Sequence, residues 1–480
     1  MIYDVLTKTR NRIGGSGLPI VLTVLFSLQS CAGGPADKKW PQYTDNPFVI
    51  ELDQPPMGQR GGLIVHDLTG DGLLDYVVSQ KEEPWEQYDS PATIGAYAHD
   101  GSVLWIQSVD LKNDGNAENV GLPGWSGPGI AAGDVDGDGA PELLHLDTGG
   151  RVVIRNGSDG EIKVTFKVAL PKGATRWGQI QIVNLRGEGD RDLILQADPL
   201  PFNWLTAVRI DTGQILWTYN KYKGPQHGGF RACDIDGDGR DEVVGGTIID
   251  DNGRRMNRWD YRKISGHFDS VFIYDVRPDV PGLEIVLLEE SHEGDDRVAL
   301  VSPTRIFFLS SRDGDEPQNS AVGEFDLQSP GLEIWNRSRF NEDQRPWVID
   351  SRGKVIAEWV MNEVKPADWS VRGVEFIYSI DWDGGERQLA AAKERHVDGK
   401  VCVFDPVTGE FVEVWDEAAA RVLVADVSGD YREEVMVVNS AASELHVYHN
   451  DSPNSNKPKP RYWNSNHYQR QKQNYNYYSP

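Results

Sequence analysis

Cysteine is scarce. The 480 residues hold three, Cys31, Cys233 and Cys402, an odd and widely spaced set that excludes a disulfide framework. Cys233 and Cys402 stand inside apolar strand-like runs, where free thiols behave as small buried hydrophobes. Basic charge is short as well. Against 74 Asp and Glu there are 48 Lys and Arg, a net charge of −26. Such a surface repels phosphate backbones and anionic bilayers, so nucleic acid is not an expected partner. Long apolar runs are missing beyond residue 28, and with them any candidate transmembrane helix there. A sustained helical pattern is missing too. What the chain has is 50 glycines and 10% aromatics, the composition of an all-β protein built from short strands and tight turns.

The one apolar run lies at the N-terminus. Lys8, Arg10 and Arg12 precede Leu18–Leu28, and Leu28-Gln29-Ser30-Cys31 follows. This resembles a bacterial lipobox. Residues 1–30 are expected to be a lipoprotein signal, with lipidation on Cys31. Ordinary signal-peptidase cleavage nearby is the alternative. Either way the protein is expected to be exported, as an outer-membrane or cell-surface lipoprotein, or else periplasmic or secreted. A lipid on Cys31 is the only membrane contact expected. Residues 31–60 read as a linker and lead-in.

A repeat fills residues 61–449. GPGIAAGDVDGDGAPELLHLD from Gly127 and HGGFRACDIDGDGRDEVVGGT from His227 are its clearest copies, with a third at Gly61 and a last at Arg421. In each, a short apolar strand ends at an acid, a tight polar loop follows, and a second acid opens another apolar strand. Strand–turn–strand segments such as AVRIDTGQILW from Ala207 follow several copies. That gives four strands per unit of roughly 45 residues, the content of a β-propeller blade. The expected fold is an all-β propeller of about eight four-stranded blades. A solenoid is the alternative, though its period is normally shorter.

The acidic loops have the spacing of a hard-cation site. In Asp134-Val135-Asp136-Gly137-Asp138-Gly139-Ala140-Pro141-Glu142, side-chain oxygens recur while glycines let the chain turn tightly. Asp234, Asp236, Asp238 and Glu242 repeat it. Carboxylates about 5 Å apart repel by roughly 3 kcal/mol per pair at an effective dielectric near 20, so calcium (Ca2+) is the expected occupant. Asp67, Thr69, Asp71 and Asp75 form a weaker set, as do Asp426, Ser428, Asp430 and Glu434. The Asn184-Arg186-Glu188 loop places an arginine where a ligand belongs and is expected to be metal-free, with Arg186 as an internal cation. Most of these ions would be structural.

The acidic loops alone resemble FG-GAP and VCBS-type calcium repeats. Three other segments are more specific. SGHFDSVFIYDVRPDVPGLEIVLLEE from Ser265, SPGLEIWNRS from Ser329 and ADVSGDYREEVMV from Ala425 resemble, in the same order, segments of the family-11 rhamnogalacturonan lyases. Trp463 and Tyr468 have the spacing of that family's terminal Trp and Tyr. The resemblance implies an eight-bladed propeller with several calcium ions and a β-eliminating polysaccharide lyase. It also marks departures. The family's N-terminal β-sandwich has no counterpart. Glu417-Ala418-Ala419-Ala420-Arg421 stands where the family has a Gly-Thr-Lys segment with an active-site lysine, and Phe268 replaces a glycine.

Elimination from a uronate needs its carboxylate neutralised, a base for the C5 proton and an acid for the leaving oxygen. The candidate catalytic residues are Tyr468, His227, His267 and Arg337, with Asp269, Arg339, Trp335, Trp463 and Arg470 for substrate binding. Each has a bland alternative: a structural histidine, a surface ion pair, a core aromatic. The expected function is lysis of a rhamnose–uronate polysaccharide, of rhamnogalacturonan I or ulvan type, by a monomer whose partner is that acidic polymer. The alternative is a non-catalytic surface propeller that binds glycan or protein. The last residues, 450–480, are basic and aromatic, and are expected to fold back over the propeller face.

Overall fold

The computed structural model describes residues 43–473 apart from 55–61, 82–91, 111–129, 148, 175, 199–203, 225–229, 260–263, 265–266, 291–296, 313–316, 340–341, 376, 396 and 454–461. The expected export signal, Cys31 and His227 lie outside the described residues, as do the side chains of His267 and Asp269.

Five sheets have four antiparallel strands in chain order. Their first strands are Leu63–His66, Ile130–Gly133, Arg176–Val183, His267–Tyr274 and Pro317–Gly323. Between the third and fourth, Arg231–Cys233 pairs with Glu242–Val244 in a sheet of two strands, extended by single bridges from Ile249. The final sheet has seven strands. It departs from the expected four because one strand, Phe411–Ala425, is 15 residues long and pairs with Gly399–Phe404 along one half and Glu434–Asn439 along the other. Two four-stranded units are thereby fused. The edge strand is Phe48–Glu51, from the stretch expected as a lead-in, which pairs antiparallel with Glu444–Tyr448. The first described strand and the last are hydrogen-bonded neighbours.

Side chains alternate across a strand, and here both faces of the inner strands are covered. On Asp192–Asp198, Leu193 and Leu195 pack toward Leu144 and Ile154, while Ile194 packs toward Ala232 and Val243. Sheets buried on both faces read as continuous apolar runs, which is why ELLHL and EIVLL lack alternation. The same packing joins each sheet to the next. Ile64 meets Ile130, Val244 meets Ile285, Val286 meets Ile334, and Val348 meets Ala390. Val422 and Leu445 of the last sheet share a core with Val65 and Tyr76 of the first. Each fully buried aliphatic chain is worth about 1.5–3 kcal/mol relative to exposure, so this closed series of cores carries the fold.

The repeated loops close by one bond. The closing acid accepts from the backbone N–H of the residue after the loop's first position, or one beyond it: Glu142 from Val135, Glu242 from Ile235 and Glu434 from Val427, at 2.8–2.9 Å. Glu284, Glu333 and Asp75 repeat the device. Gly137 and Gly139 stand at φ 73° and 88°, a region a side chain enters only at a cost of roughly 1–2 kcal/mol. Neighbouring loops are also tied reciprocally. Asp241 N–H donates to the Asn184 carbonyl at 2.8 Å, and Asn184 N–H returns a bond to the Asp241 carboxylate at 2.7 Å. Glu433 and Asp381 do the same at 2.9 and 2.8 Å.

Candidate active site

Because each loop joins the end of a first strand to the start of a second, the sheets have two distinct edges. The acidic loops form one, the loop edge. The starts of the first strands form the other, the starting edge. His267 opens His267–Tyr274 at the starting edge, paired with Glu290. Arg339 directly follows Glu333–Ser338, whose Ser338 pairs with Pro317, so it also lies there. It is exposed, and its carbonyl accepts from Arg395 at 3.2 Å.

Tyr468, Trp463 and Arg470 are at the opposite edge. The C-terminal helix Asn466–Gln473 lies across the loop edge and bonds first strands of three sheets. Val65 N–H donates to Gln473 at 2.9 Å, Ile273 N–H to Gln471 at 3.2 Å, and the Ser379 carbonyl accepts from Lys472. These three residues each stand two before the acid that opens their loop: Asp67, Asp275 and Asp381. His467 bonds the Ile273 carbonyl at 2.9 Å. Arg470 spans two loops, with Asp241 at 2.7 Å and Asp190 at 2.5 Å. Burial works against its charge, but these two carboxylates outweigh burial and hold the guanidinium protonated.

Glu433 anchors the rest of this segment. Its Oε1 accepts from the Trp463 indole at 2.9 Å and from the Tyr468 hydroxyl at 2.8 Å, and Lys472 lies 3.3 Å away. Burial first, then the Glu433 charge, raise the Tyr468 phenol well above its ordinary value. Burial pushes the Lys472 ammonium down, opposed by Glu433. Tyr468 is therefore a neutral hydroxyl across ordinary pH, bound to a structural carboxylate. The sequence offered Tyr468 and His267 as parts of one constellation, and the structure sets them at opposite edges.

Three other candidates are engaged inside the fold. Arg337 is fully buried, with Nε on the Glu375 carbonyl at 2.6 Å and a terminal nitrogen on the Glu375 carboxylate at 3.0 Å. Trp335 is fully buried, edge-on to Phe404. Trp463 is 2% exposed. None of the three offers a free face to a sugar, because both faces of Glu333–Ser338 are covered and the C-terminal turn Tyr462–Asn464 packs Trp463 inward.

The structure adds residues that sequence reasoning passed over. First strands carry buried polar groups: Gln181, Arg231, Ser270, Asn319 and, in the long strand, Arg421. Arg231 Nε donates to the Val271 carbonyl at 3.2 Å, and its charge lowers the phenols of Tyr222, Tyr274 and Tyr378, although burial dominates all three. Asn319 approaches Ser270 at 3.5 Å. The available signal was a lone charge in an apolar run, as in FRAC and AARVLV. In the segment Glu417-Ala418-Ala419-Ala420-Arg421, Ala419 and Ala420 are buried, while Glu417 is bound to His446 and Tyr448.

Two loops gather acids closely enough to hold a metal ion. Among the described residues, one oxygen each from Asp134, Asp136 and Glu142 lie within 4.8 Å of one another, as do those of Asp234, Asp236 and Glu242. Asp138 and Asp238 stand outside these groups, exposed at the loop tips. In the second group Glu242 is fully buried and its Oε1 has no hydrogen-bond partner. Burial, with Asp236, Asp238 and Asp234 adding, pushes Glu242 up to about 9. An orphaned buried carboxylate oxygen beside two aspartates fits a hard cation. The other two candidate sets are differently engaged. Asp67 accepts from Asp71 and Gly72 N–H, Asp71 lies 3.3 Å from His99, and Asp75 bonds Thr69 N–H. Asp430 is paired with Arg432, and Glu434 is raised by burial and then by Asp426 and Asp430. In the loop expected to be metal-free, Arg186 Nε donates to Asp192 at 2.8 Å and the guanidinium also pairs with Glu188.

The loop edge has a cavity of about 650 Å³, lined by Asp134, Glu188, Asp190, Asp234 and Asp241 against Arg191 and Arg470. Five acids against two arginines disfavour an anionic ligand there.

Comparison with known proteins agrees with the sheet arrangement. Residues 205–477 match the C-terminal domain of rhamnogalacturonan lyase family 11. The chain is 23% identical to the rhamnogalacturonan endolyase YesW of Bacillus subtilis (strain 168), over 92% of this chain and 77% of that protein. It is 23% identical to the exolyase YesX of the same organism, over 80% and 70%. The crystal structure of YesW superposes with a TM-score of 0.68 at 19% identity, covering 91% of this chain and 81% of that one. A Bacillus licheniformis rhamnogalacturonan lyase gives 0.66 at 18%, with the same coverage.

Proposed function

The chain belongs to rhamnogalacturonan lyase family 11, a family of polysaccharide lyases, and on that premise we propose that it cleaves a rhamnose–uronate polysaccharide by β-elimination at the starting edge of its sheets. The observation that carries this reading is the family match over residues 205–477, which takes in the segment bearing His267, Asp269 and Arg339. The closed series of cores supports reading the sheets as propeller blades. Their first strands would then line a central channel, and the starting edge would be its open mouth.

In this reading Arg339 meets the uronate carboxylate and lowers the cost of the enolate-like intermediate. His227 or His267 takes the C5 proton, with Asp269 as a substrate contact. A calcium ion in the Asp234–Glu242 loop would be held by Asp234, Asp236 and Glu242, and its chemistry there is to neutralise and close the loop. Substrates of rhamnogalacturonan I and ulvan type both present rhamnose beside uronate, and both belong in the test. Export by the 1–30 signal, with lipidation of Cys31 and action as a monomer, completes the proposal.

The segment Glu417–Arg421 in place of the resembled family's Gly-Thr-Lys, with Phe268 in place of a glycine, favours a second reading, a surface propeller that binds glycan or protein without cleaving it. One assay separates the two. The calcium-loaded protein is incubated with each polymer, and ultraviolet absorbance of the unsaturated uronate product is followed. A rise that His267→Ala abolishes supports the lyase. Retention of polymer on immobilised protein without any rise establishes the binding reading in its place.

A further inference from the structure

The loops Asp134–Glu142 and Asp234–Glu242 share one arrangement of acids and one closing bond. In both, the closing glutamate is fully buried and its Oε2 accepts a backbone N–H at 2.9 Å. In both, three acids gather within 4.8 Å. They differ at Oε1. Glu242 Oε1 has no hydrogen-bond partner. Glu142 Oε1 accepts from the ammonium of Lys163 at 2.7 Å.

Lys163 comes from the outer strand Ile162–Lys167 of the same sheet. Its Nζ also lies 2.6 Å from Asp136 and 3.2 Å from Asp138. Three carboxylates use all three donors of one ammonium. A second cation stands over the same loop, because a Cβ built on Gly137 would meet a terminal nitrogen of Arg191 at 1.5 Å. A Cβ built on Gly237 would meet nothing within 4 Å, and Arg240 of that loop is turned to Asp251 at 2.7 Å. A calcium ion needs its oxygens at about 2.3–2.6 Å, which is the space the ammonium fills.

We propose that Lys163 is the resident counter-ion of the Asp134–Glu142 loop and excludes a divalent cation from it, leaving Asp234–Glu242 as the loop of the pair that takes the ion. The repeat thus satisfies one carboxylate geometry in three ways: an ammonium from a neighbouring strand, the guanidinium of Arg186 within its own loop, and an external cation. The contrast rests on the metal reading of the Asp234–Glu242 loop given above.

The test counts calcium ions bound to the full chain by equilibrium dialysis, in wild type, Glu142→Gln, Glu242→Gln, Lys163→Met, and Lys163→Met combined with Glu142→Gln. The expected result is loss of one site in E242Q and none in E142Q. K163M then gains one site, or tightens one by about tenfold through removal of the competing charge, and E142Q in that background abolishes the gain. Lys163→Gln serves as a second variant that keeps the polar stem. Loss of a site in wild-type E142Q, or an isotherm unchanged by both Lys163 variants, overturns the proposal. If E242Q alone leaves the count unchanged, the metal reading of that loop fails, while the Lys163 variants still decide the proposal.

Discussion

The hydroxyl of Tyr468 donates to Oε1 of Glu433 at 2.8 Å, and the other Glu433 oxygen accepts the Asp381 N–H at 2.8 Å. One carboxylate thereby joins the C-terminal helix to two loops. The bond makes Tyr468 an anchor. Tyr468→Phe is expected to lose about 1 kcal/mol of stability, the net worth of one hydrogen bond, read from the urea midpoint. Turnover should stay within about threefold, since general acid–base catalysis is worth at least about 10². A hundredfold fall in kcat with the midpoint unmoved would return Tyr468 to the chemistry.

Arg470 separates two acids that would otherwise face each other. Arg470→Met leaves Asp190 and Asp241 without their shared cation, at a cost of about 3 kcal/mol. Deleting residues 461–480 should cost more, because it also strips Glu433 of Trp463, Tyr468 and Lys472. Thermal unfolding of both variants checks the order, and a truncated protein as stable as wild type would contradict it.

Arg337 and Glu375 form an ion pair at 3.0 Å with both side chains buried. Arg337→Ala is expected to cost about 3–5 kcal/mol, the penalty for stranding a buried charge. Arg337→Lys keeps the charge but cannot reproduce the guanidinium fork, so it should also destabilise. A carboxylate clamp behaves differently: its loss raises KM and leaves unfolding alone. Denaturation and kinetics on the same preparations distinguish the two.

His446 lies 2.5 Å from Glu417, and that bond lifts the imidazole above its ordinary value of 6.5, against burial. A raised group stabilises the fold below its unfolded value and loses that contribution as pH rises through the folded one. Glu417 is the converse. Burial raises it, but the His446 and Tyr448 bonds outweigh burial and bring it down, so its contribution is lost on acidification. Stability should therefore decline as pH rises past 6.5. His446→Gln should flatten that limb in urea titrations across pH, and an unchanged profile would remove the pair from the account.

Chelation should lower Tm and added calcium restore it, since an ion at 100 times its Kd stabilises by about 2.7 kcal/mol. Glu242→Gln should act with opposite signs. Without metal it relieves a buried carboxylate with one unbonded oxygen and raises Tm. With calcium it removes a ligand and shrinks the calcium-induced rise. Calorimetry with chelator and with calcium reads both.

The repeats, their acidic loops and the strand content were legible because each is local. Four or five consecutive apolar residues and a glycine-permitted turn specify their own conformation. Arg186 as an internal cation was legible for the same reason, since its partners Glu188 and Asp192 lie within six residues. Lys163 was not, because it reaches its carboxylates from a different strand, 21 residues beyond Glu142. Nor was the strand count of the final sheet, which depends on Phe411–Ala425 continuing without a break.

The candidate site divides on the same line. Sequence by itself determined which residues were candidates for chemistry: the histidines, the arginines beside Pro-Gly-Leu-Glu, the terminal tyrosine and the loop acids. Their grouping belongs to the tertiary structure. It buried Arg337, Trp335 and Trp463, and it sent Tyr468 and Arg470 to the loop edge, away from His267 and Arg339. The reason is physical. Which edge a side chain reaches depends on strand direction and on what a distant segment packs against, and a hydrogen bond such as Glu433–Tyr468 joins atoms 35 residues apart. No local pattern encodes that distance.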